Sequence, residues 1–215
     1  MILGVDTSFA NGSPNWPQAF RDERVQFVIA RACYGTNPAY DDGACFAVAH
    51  DAAKIAGKPF GSYFFYLASE DGKAQAEHFL DTADGRFGTI APVVDVEEDS
   101  GVEGWGGSVE ERIANLSAAL ATIEAKLGQP IIYTDPNTWA TYFESTDAFA
   151  GHRFYLAHYT GVPGKFDAPE GVKNVVLHQF SDGIGLPPIA GLSKPGNNAD
   201  RDALIGGDFR VLERV

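Results

Sequence analysis

The chain has 215 residues, 45% of them hydrophobic and 21% charged, enough for one sizeable core and short for two domains. Sixteen basic and 29 acidic residues give a net charge of −13, which argues against nucleic acid and against an anionic membrane surface as partners. No apolar run reaches transmembrane length, and Cys33 and Cys45 are too few for a disulfide scaffold and lack metal-ligand spacing, so both are read as buried thiols.

Residues 2–6 are predicted as a strand with Asp6 at its C-terminal end. Residues 9–17, rich in Asn, Gly, Ser and Pro around Trp16, read as a loop. A second strand is expected over 25–32, with Arg31 as its lone charge near the end. The Ala-rich stretch 43–56 has helical spacing and is closed by Gly57. Residues 59–67 form an aromatic-dense third strand containing Tyr63. Ser69, Glu70 and Asp71 open a helix to about Thr82, with Ala74, Ala76, Phe79 and Leu80 as core positions. After the fourth strand, discussed below, 101–107 is a Gly-rich loop around Trp105. Ser108 caps a long helix whose stripe is Ile113, Leu116, Leu120, Ile123 and Leu127. Residues 130–134 form strand five and 137–143 a short helix. Two more strands follow at 153–159 and 174–180 with no convincing helix between them. The tail 183–198 is rich in Gly and Pro, and a last short strand or turn lies around 199–203.

The fourth strand carries the chemistry. In Ile90-Ala-Pro-Val-Val-Asp-Val-Glu-Glu-Asp99, alternation places Val93, Asp95 and Glu97 on one face and Val94 and Val96 on the other. Two carboxylates then sit about 6–7 Å apart at Cβ, two residues of strand rise. Like charges that close, partly out of water, cannot both ionise freely, so one is pushed toward its protonated form. A protonated acid beside an ionised one is what glycosidic bond cleavage needs. The plainer reading is a strand end running into a solvated acidic turn, as Glu98 and Asp99 are expected to be.

Strand–helix alternation from the N-terminus predicts a parallel β/α sheet, and about eight strands in this length predict a barrel, incomplete where the helices thin out. In such barrels the chemistry sits at strand C-termini. Asp6, Tyr63, Asp95, Glu97, Tyr133 and Tyr159 all fall near such ends. The five histidines form no zinc pattern, although His158 and His178 are placed to reach the barrel mouth; neither a nucleophile elbow nor a phosphate-binding loop is present. No cofactor and no metal are expected.

An ordered set of motifs resembles the glycoside hydrolase family 25 muramidases, or Ch-type lysozymes, over nearly the whole chain. They are Gly4-Val-Asp6-Thr-Ser8, Gly61-Ser-Tyr63-Phe-Phe65, Gln75-Ala-Glu-His-Phe79, Asp95-Val-Glu97, Tyr133-Thr134, Tyr155-Leu-Ala-His-Tyr159, Gln179-Phe-Ser181 and Ala199-Asp200-Arg-Asp202. The resemblance implies a single catalytic domain over 1–215, an irregular TIM-like α/β barrel of five β/α units followed by mainly β segments. It implies cleavage of the β-1,4 bond between N-acetylmuramic acid and N-acetylglucosamine, with Glu97 as general acid and Asp6, Asp95 and Asp200 as the other carboxylates. Tyr63 and Tyr133 would line the sugar subsite; Tyr159, Trp105 and Gln179 are further substrate-binding candidates, with Trp105 equally readable as a loop anchor. The favoured chemistry is substrate-assisted, Asp95 staying ionised beside the acetamido group.

Three departures stand out: Tyr155 and His178 replace a common Trp, and Asp202 replaces a common Asn, leaving Asp200 and Asp202 as rivals for the fourth carboxylate. Trp16 and Trp139 are read as packing, and Arg31 as a satisfied strand-end charge or a partner tuning the acidic cluster, the first slightly favoured. Alternatives are a non-catalytic carbohydrate-binding barrel, which the Asp95/Glu97 pair argues against, and another acetamido-sugar hydrolase such as a chitinase. A monomer is expected, acting on the bacterial cell wall as the lytic domain of a phage endolysin or bacterial autolysin. Met1 leads into residues 2–6 with no secretory signal, so synthesis in the (host) cytoplasm and release by another route are expected. The acidity suits a teichoic-acid-rich wall poorly, so a separate wall-binding module or a less anionic wall is expected.

Overall fold

In a computed structural model of the protein, which describes residues 1–98, 105–192 and 199–214, eight strands close into a barrel in sequence order. They are β1 (Leu3–Thr7), β2 (Val28–Tyr34), β3 (Phe60–Phe65), β4 (Val93–Asp95), β5 (Ile131–Thr134), β6 (Arg153–Ala157), β7 (Val175–Ser181) and β8 (Arg201–Leu204). Five helices follow the first five strands: α1 (Trp16–Ala19), α2 (Gly43–Ala56), α3 (Gly72–Ala83), α4 (Val109–Leu127) and α5 (Pro136–Tyr142). The architecture is the expected irregular β/α barrel. β1 to β7 pair in parallel, but β8 runs antiparallel to both β7 and β1. β8 therefore enters from the top of the barrel, the end at which β7 finishes.

Two-residue periodicity separates two apolar layers. Ile29, Val93, Ile131, Tyr133, Tyr155 and Leu177 point inward, while Val28, Ala30, Val94, Val96, Ile132 and Phe154 point outward to the helices. The C-terminal 3-10 turn Phe209–Leu212 closes the floor, where Leu212 packs with Ile90 and Phe27. Arg153 ties that floor together, donating to the carbonyls of Gln129, Val211 and Glu213.

Local signals set the helices. Ser108 and Glu111 form a reciprocal capping box at the start of α4, and Leu116, Leu120 and Ile123 bury one stripe. Gly57 ends α2 in the left-handed conformation at φ 64°. Asp71 caps α3, which reaches Ala83. Within α3 the polar Gln75 is as fully buried as Ala76 and Phe79, while Ala74 and Leu80 are only partly covered. Gln75 grips the β3–α3 loop through Leu67 N, Leu67 O and Glu70 O, which explains a polar residue on the apolar face. Gly72 lets α3 meet α4 closely, since a Cβ there would stand 2.2 Å from Asn115 O.

Several expectations shift. Residues 9–17 contain a 3-10 turn (Phe9–Asn11) and the start of α1, because Ser8 and Asn15 each cap the backbone that follows. β2 begins and ends later than the apolar run suggests, leaving Arg31 mid-strand. β4 is only three residues long: Pro92 has no N–H for the ladder, and Glu97 lies two residues beyond the strand. The expected Gly-rich loop 101–107 and tail 183–198 fall partly outside the described residues, as does Asp99. Cys45 is half-buried rather than buried, and both thiols are free. No helix of the described residues is long and apolar enough to cross a membrane.

Candidate active site

A cavity of about 200 Å³ opens at the C-terminal ends of the parallel strands. Asp6 reaches it from β1, Arg31 from β2, Tyr63 and Phe65 from β3, Asp95 and Glu97 from β4 and its extension, and Tyr133 from β5. Tyr155, Tyr159, Gln179 and Asp200 complete the far side. Asp95, Tyr133 and Tyr155 are neighbours in register on β4, β5 and β6, so strand pairing alone sets them at one level.

One wall is built from β1, β7 and β8 with β6 behind it. Gln179 Nε2 donates to Asp6 Oδ2 at 2.7 Å, while Gln179 Oε1 accepts from the hydroxyls of Tyr133 and Tyr159, both at 2.9 Å. Tyr155 Oη stands 2.8 Å from Asp6 Oδ2 and 2.5 Å from Asp202 Oδ1. A phenol has one proton to donate. Were both acids ionised, one of these contacts would bring two oxygens together with no hydrogen between them. One acid therefore carries a proton. Burial pushes both carboxyls up and a Tyr155 hydrogen bond opposes it on each, but Gln179 lowers only Asp6, whereas the charge of Asp6 pushes Asp202 higher. Asp202, with no exposed surface, is thus the neutral member and Asp6 the ionised one.

The opposite wall is β4. Burial, then the charges of Glu97 and Asp6, push Asp95 well above the usual carboxylate range, and Arg31 opposes them. Asp95 Oδ1 is buried, and no donor among the described residues reaches it. Glu97 is half-buried, with Tyr133 Oη 3.4 Å from its Oε2. Arg31 is held by Asp42, whose Oδ1 accepts from Nε at 3.0 Å and faces Nη2 at the same distance, and its guanidinium lies 5.0 Å from the Phe9 ring centroid. It therefore does both jobs weighed for it: a satisfied charge that also faces the acids. At the rim, burial and then the charges of Asp6 and Glu97 push Asp200 up to about 9. In the free cavity burial first, and crowding by the other acids second, push the carboxyl of Asp95, the deeper acid of the β4 pair, upward.

The family model described as "Glycosyl hydrolases family 25" matches residues 5–188. The chain belongs to this family. It is therefore a glycoside hydrolase. A bacterial lysozyme from Streptomyces coelicolor superposes with a TM-score of 0.82 at 24% identity, covering 98% of this chain and 95% of that one. A muramidase from Trichobolus zukalii gives 0.78 at 27% identity, covering 98% and 97%. A family GH25 lysozyme from Aspergillus fumigatus gives 0.80 at 24%, covering 100% and 99%. No curated protein matches the chain.

In this family 25 hydrolase the cavity gathers Asp6, Asp95, Glu97, Asp200, Tyr63, Tyr133, Tyr159 and Gln179. Trp105 is not among its lining residues; it stacks on Tyr142 at 4.3 Å and meets Phe143 edge-on, the contacts of a loop anchor. His178 does not reach the mouth. It is buried behind β7, where Nδ1 accepts from Gly164 N and Nε2–H donates to His158 O, a neutral imidazole whose pKa burial lowers. His158 accepts from Asp167 N on the same outer side. Trp16 and Trp139 are core, as read. Tyr155, marked in the sequence only as a departure from a common Trp, lines the cavity, and strand parity signals it: it shares the inner face of β6 with Ala157. Asp200 and Asp202 are not rivals, since the first lines the cavity and the second lies beneath Asp6.

Proposed function

We propose that this protein is an N-acetylmuramidase that hydrolyses the β-1,4 bond between N-acetylmuramic acid and N-acetylglucosamine in peptidoglycan. The observation that carries the reading is the β4 end: two acids on one strand face, in a cavity with Asp6 and Asp200, in a family 25 chain. The muramidase and lysozymes of similar fold support the substrate class.

Glu97, at the mouth, is the general acid that protonates the leaving oxygen. Asp95 faces the substrate's 2-acetamido group, whose N–H is a donor for the unfilled Oδ1. That hydrogen bond favours ionised Asp95 and shifts the shared proton toward Glu97, since a donor to the charged form lowers its pKa. The acetamido oxygen then attacks the anomeric carbon as the glycosidic bond breaks and Glu97 gives up its proton. Asp95 stabilises the cationic ring so formed. Water opens that ring, and Glu97, now a carboxylate, takes the water's proton. Tyr63, Tyr133, Tyr159 and Gln179 position the sugar.

Purified peptidoglycan is digested, the new reducing ends are reduced with borohydride, and the labelled sugar is identified. Reduced muramic acid is the expected product. Reduced glucosamine would make the enzyme a glucosaminidase, and an absence of new ends would overturn the hydrolase reading for this substrate.

A further inference from the structure

Outside the barrel, on the far side of β2 from the cavity, three unlike donors converge. A register shift between Arg31 and Cys33 turns Cys33 toward the helices, where it sits in the outer apolar layer beside Ala32. Asp41 comes from the segment before α2, and His78 from the middle of α3. The Cys33 thiol, an Asp41 carboxylate oxygen and a His78 ring nitrogen all lie within 4.8 Å of one another. We propose that Cys33, Asp41 and His78 bind a divalent transition-metal cation of the zinc type.

The donor set selects the class of ion. A thiolate excludes magnesium and calcium as preferred occupants, while sulfur, imidazole and carboxylate together suit zinc or cobalt. Bond lengths of about 2.0–2.3 Å to such an ion place tetrahedral donors roughly 3.3–3.7 Å apart. To reach that range the Cys33 thiol draws in from within 4.8 Å, while His78 Nε2 and Asp41 Oδ1, now hydrogen-bonded at 2.9 Å, move apart by about half an ångström as the ion replaces the proton between them. Three protein ligands leave a fourth position for water, toward the partly exposed side of Asp41 and His78.

The charges around the site favour a cation. Asp42 is spent on Arg31 and on the backbone N–H of Phe9, but the ion-pair partner of Asp41 is His78. The Cys33 thiol is buried and faces both Asp41 and Asp42, a setting that disfavours a bare thiolate. A bound cation reverses this, and the thiol releases one proton as the sulfur–metal bond forms. Thr82 Oγ1, 3.5 Å from Asp41 Oδ2, steadies the carboxylate from the next turn of α3. None of the three ligands lines the cavity. The ion would join β2, the α2 entry and α3, a clamp on the fold rather than a part of the reaction.

The test uses the full chain. Cobalt(II) titration should give a near-ultraviolet thiolate-to-cobalt absorption that saturates at one equivalent. Zinc at a hundredfold excess over its Kd should raise Tm by roughly 5–10 °C. Cys33→Ser and His78→Gln should abolish both responses, and Cys45→Ser should keep them. His78 is partly exposed, so His78→Gln decides the matter if Cys33→Ser does not fold. No charge-transfer band in the parent protein, or an undiminished zinc response in His78→Gln, overturns the site.

Discussion

The two walls of the cavity hold similar chemistry in different states of completion: each has one buried carboxyl oxygen without a partner among the described residues, but Asp202 Oδ2 lies off the cavity and Asp95 belongs to its lining. On the β1/β7/β8 side, Asp6 Oδ2 receives Gln179 and Tyr155, and Gln179 is itself oriented by two tyrosines. On the β4 side, Asp95 Oδ1 is buried without a donor among the described residues. Burying an unfilled acceptor costs about 1–3 kcal/mol, a cost a protein bears where a ligand will fill it. The tied wall is a frame whose geometry exists before substrate arrives; the open wall is where substrate supplies the missing partners.

The largest effect should come from the open wall. Glu97→Gln removes the only proton donor proposed for the leaving oxygen, and turnover of peptidoglycan should fall about 10³-fold or more, at the upper part of the range for general acids. Its Tm should stay within a few degrees of the parent. Near-normal turnover would remove the acid role, and a collapse of Tm would make Glu97 a member of the frame instead.

Asp95→Asn is the second cut. Its amide cannot supply the negative charge that faces the cationic ring, so kcat should fall about 10²-fold. The same change removes a buried acid from a crowded cluster, so thermal stability at pH 7 should rise slightly as activity falls. Loss of both together would erase the distinction between the walls.

Much of this arrangement is legible in the residues. Parity along Val93–Glu97 places both acids on one face, and Ser108/Glu111 and Gly57 mark helix ends because their signals are local. Other features are hidden for a physical reason. The role of Asp202 depends on Tyr155 and Asp6, from β6 and β1, and only closure of the barrel brings them together. Cys33, Asp41 and His78 lie on three elements with no metal-binding spacing. Trp105 shows the reverse: an aromatic in a Gly-rich stretch beside the acidic strand has two uses by sequence, and only the Tyr142 stack separates them. The antiparallel entry of β8 is signalled by no motif and shows only in its pairing with β7 and β1.

The smallest effect should come from the tied wall, and its sign is set by protonation. Asp202 is neutral in the folded protein because burial and the Asp6 charge hold its pKa well above the usual value. Below about pH 4 the folded and unfolded chains both keep this proton, and the stability associated with it is fully present. As pH rises past the unfolded value, the unfolded chain ionises while the folded one does not, so stability drains away until the folded carboxyl itself titrates. Asparagine keeps the shape and a donor for Tyr155 Oη but has no proton to lose. Asp202→Asn should therefore match the parent near pH 4 and exceed it at pH 7 by about 1 kcal/mol or more, a Tm gain of roughly 2–4 °C in a chain this long. Its kcat should change less than about threefold, because Tyr155 can still donate to Asp6. Thermal melts of the two proteins from pH 4 to 8 decide it: a constant gap would mean that Asp202 is ionised in the fold, and a gap that opens with pH would place on Asp202, rather than Asp6, the proton that the Tyr155 contacts require.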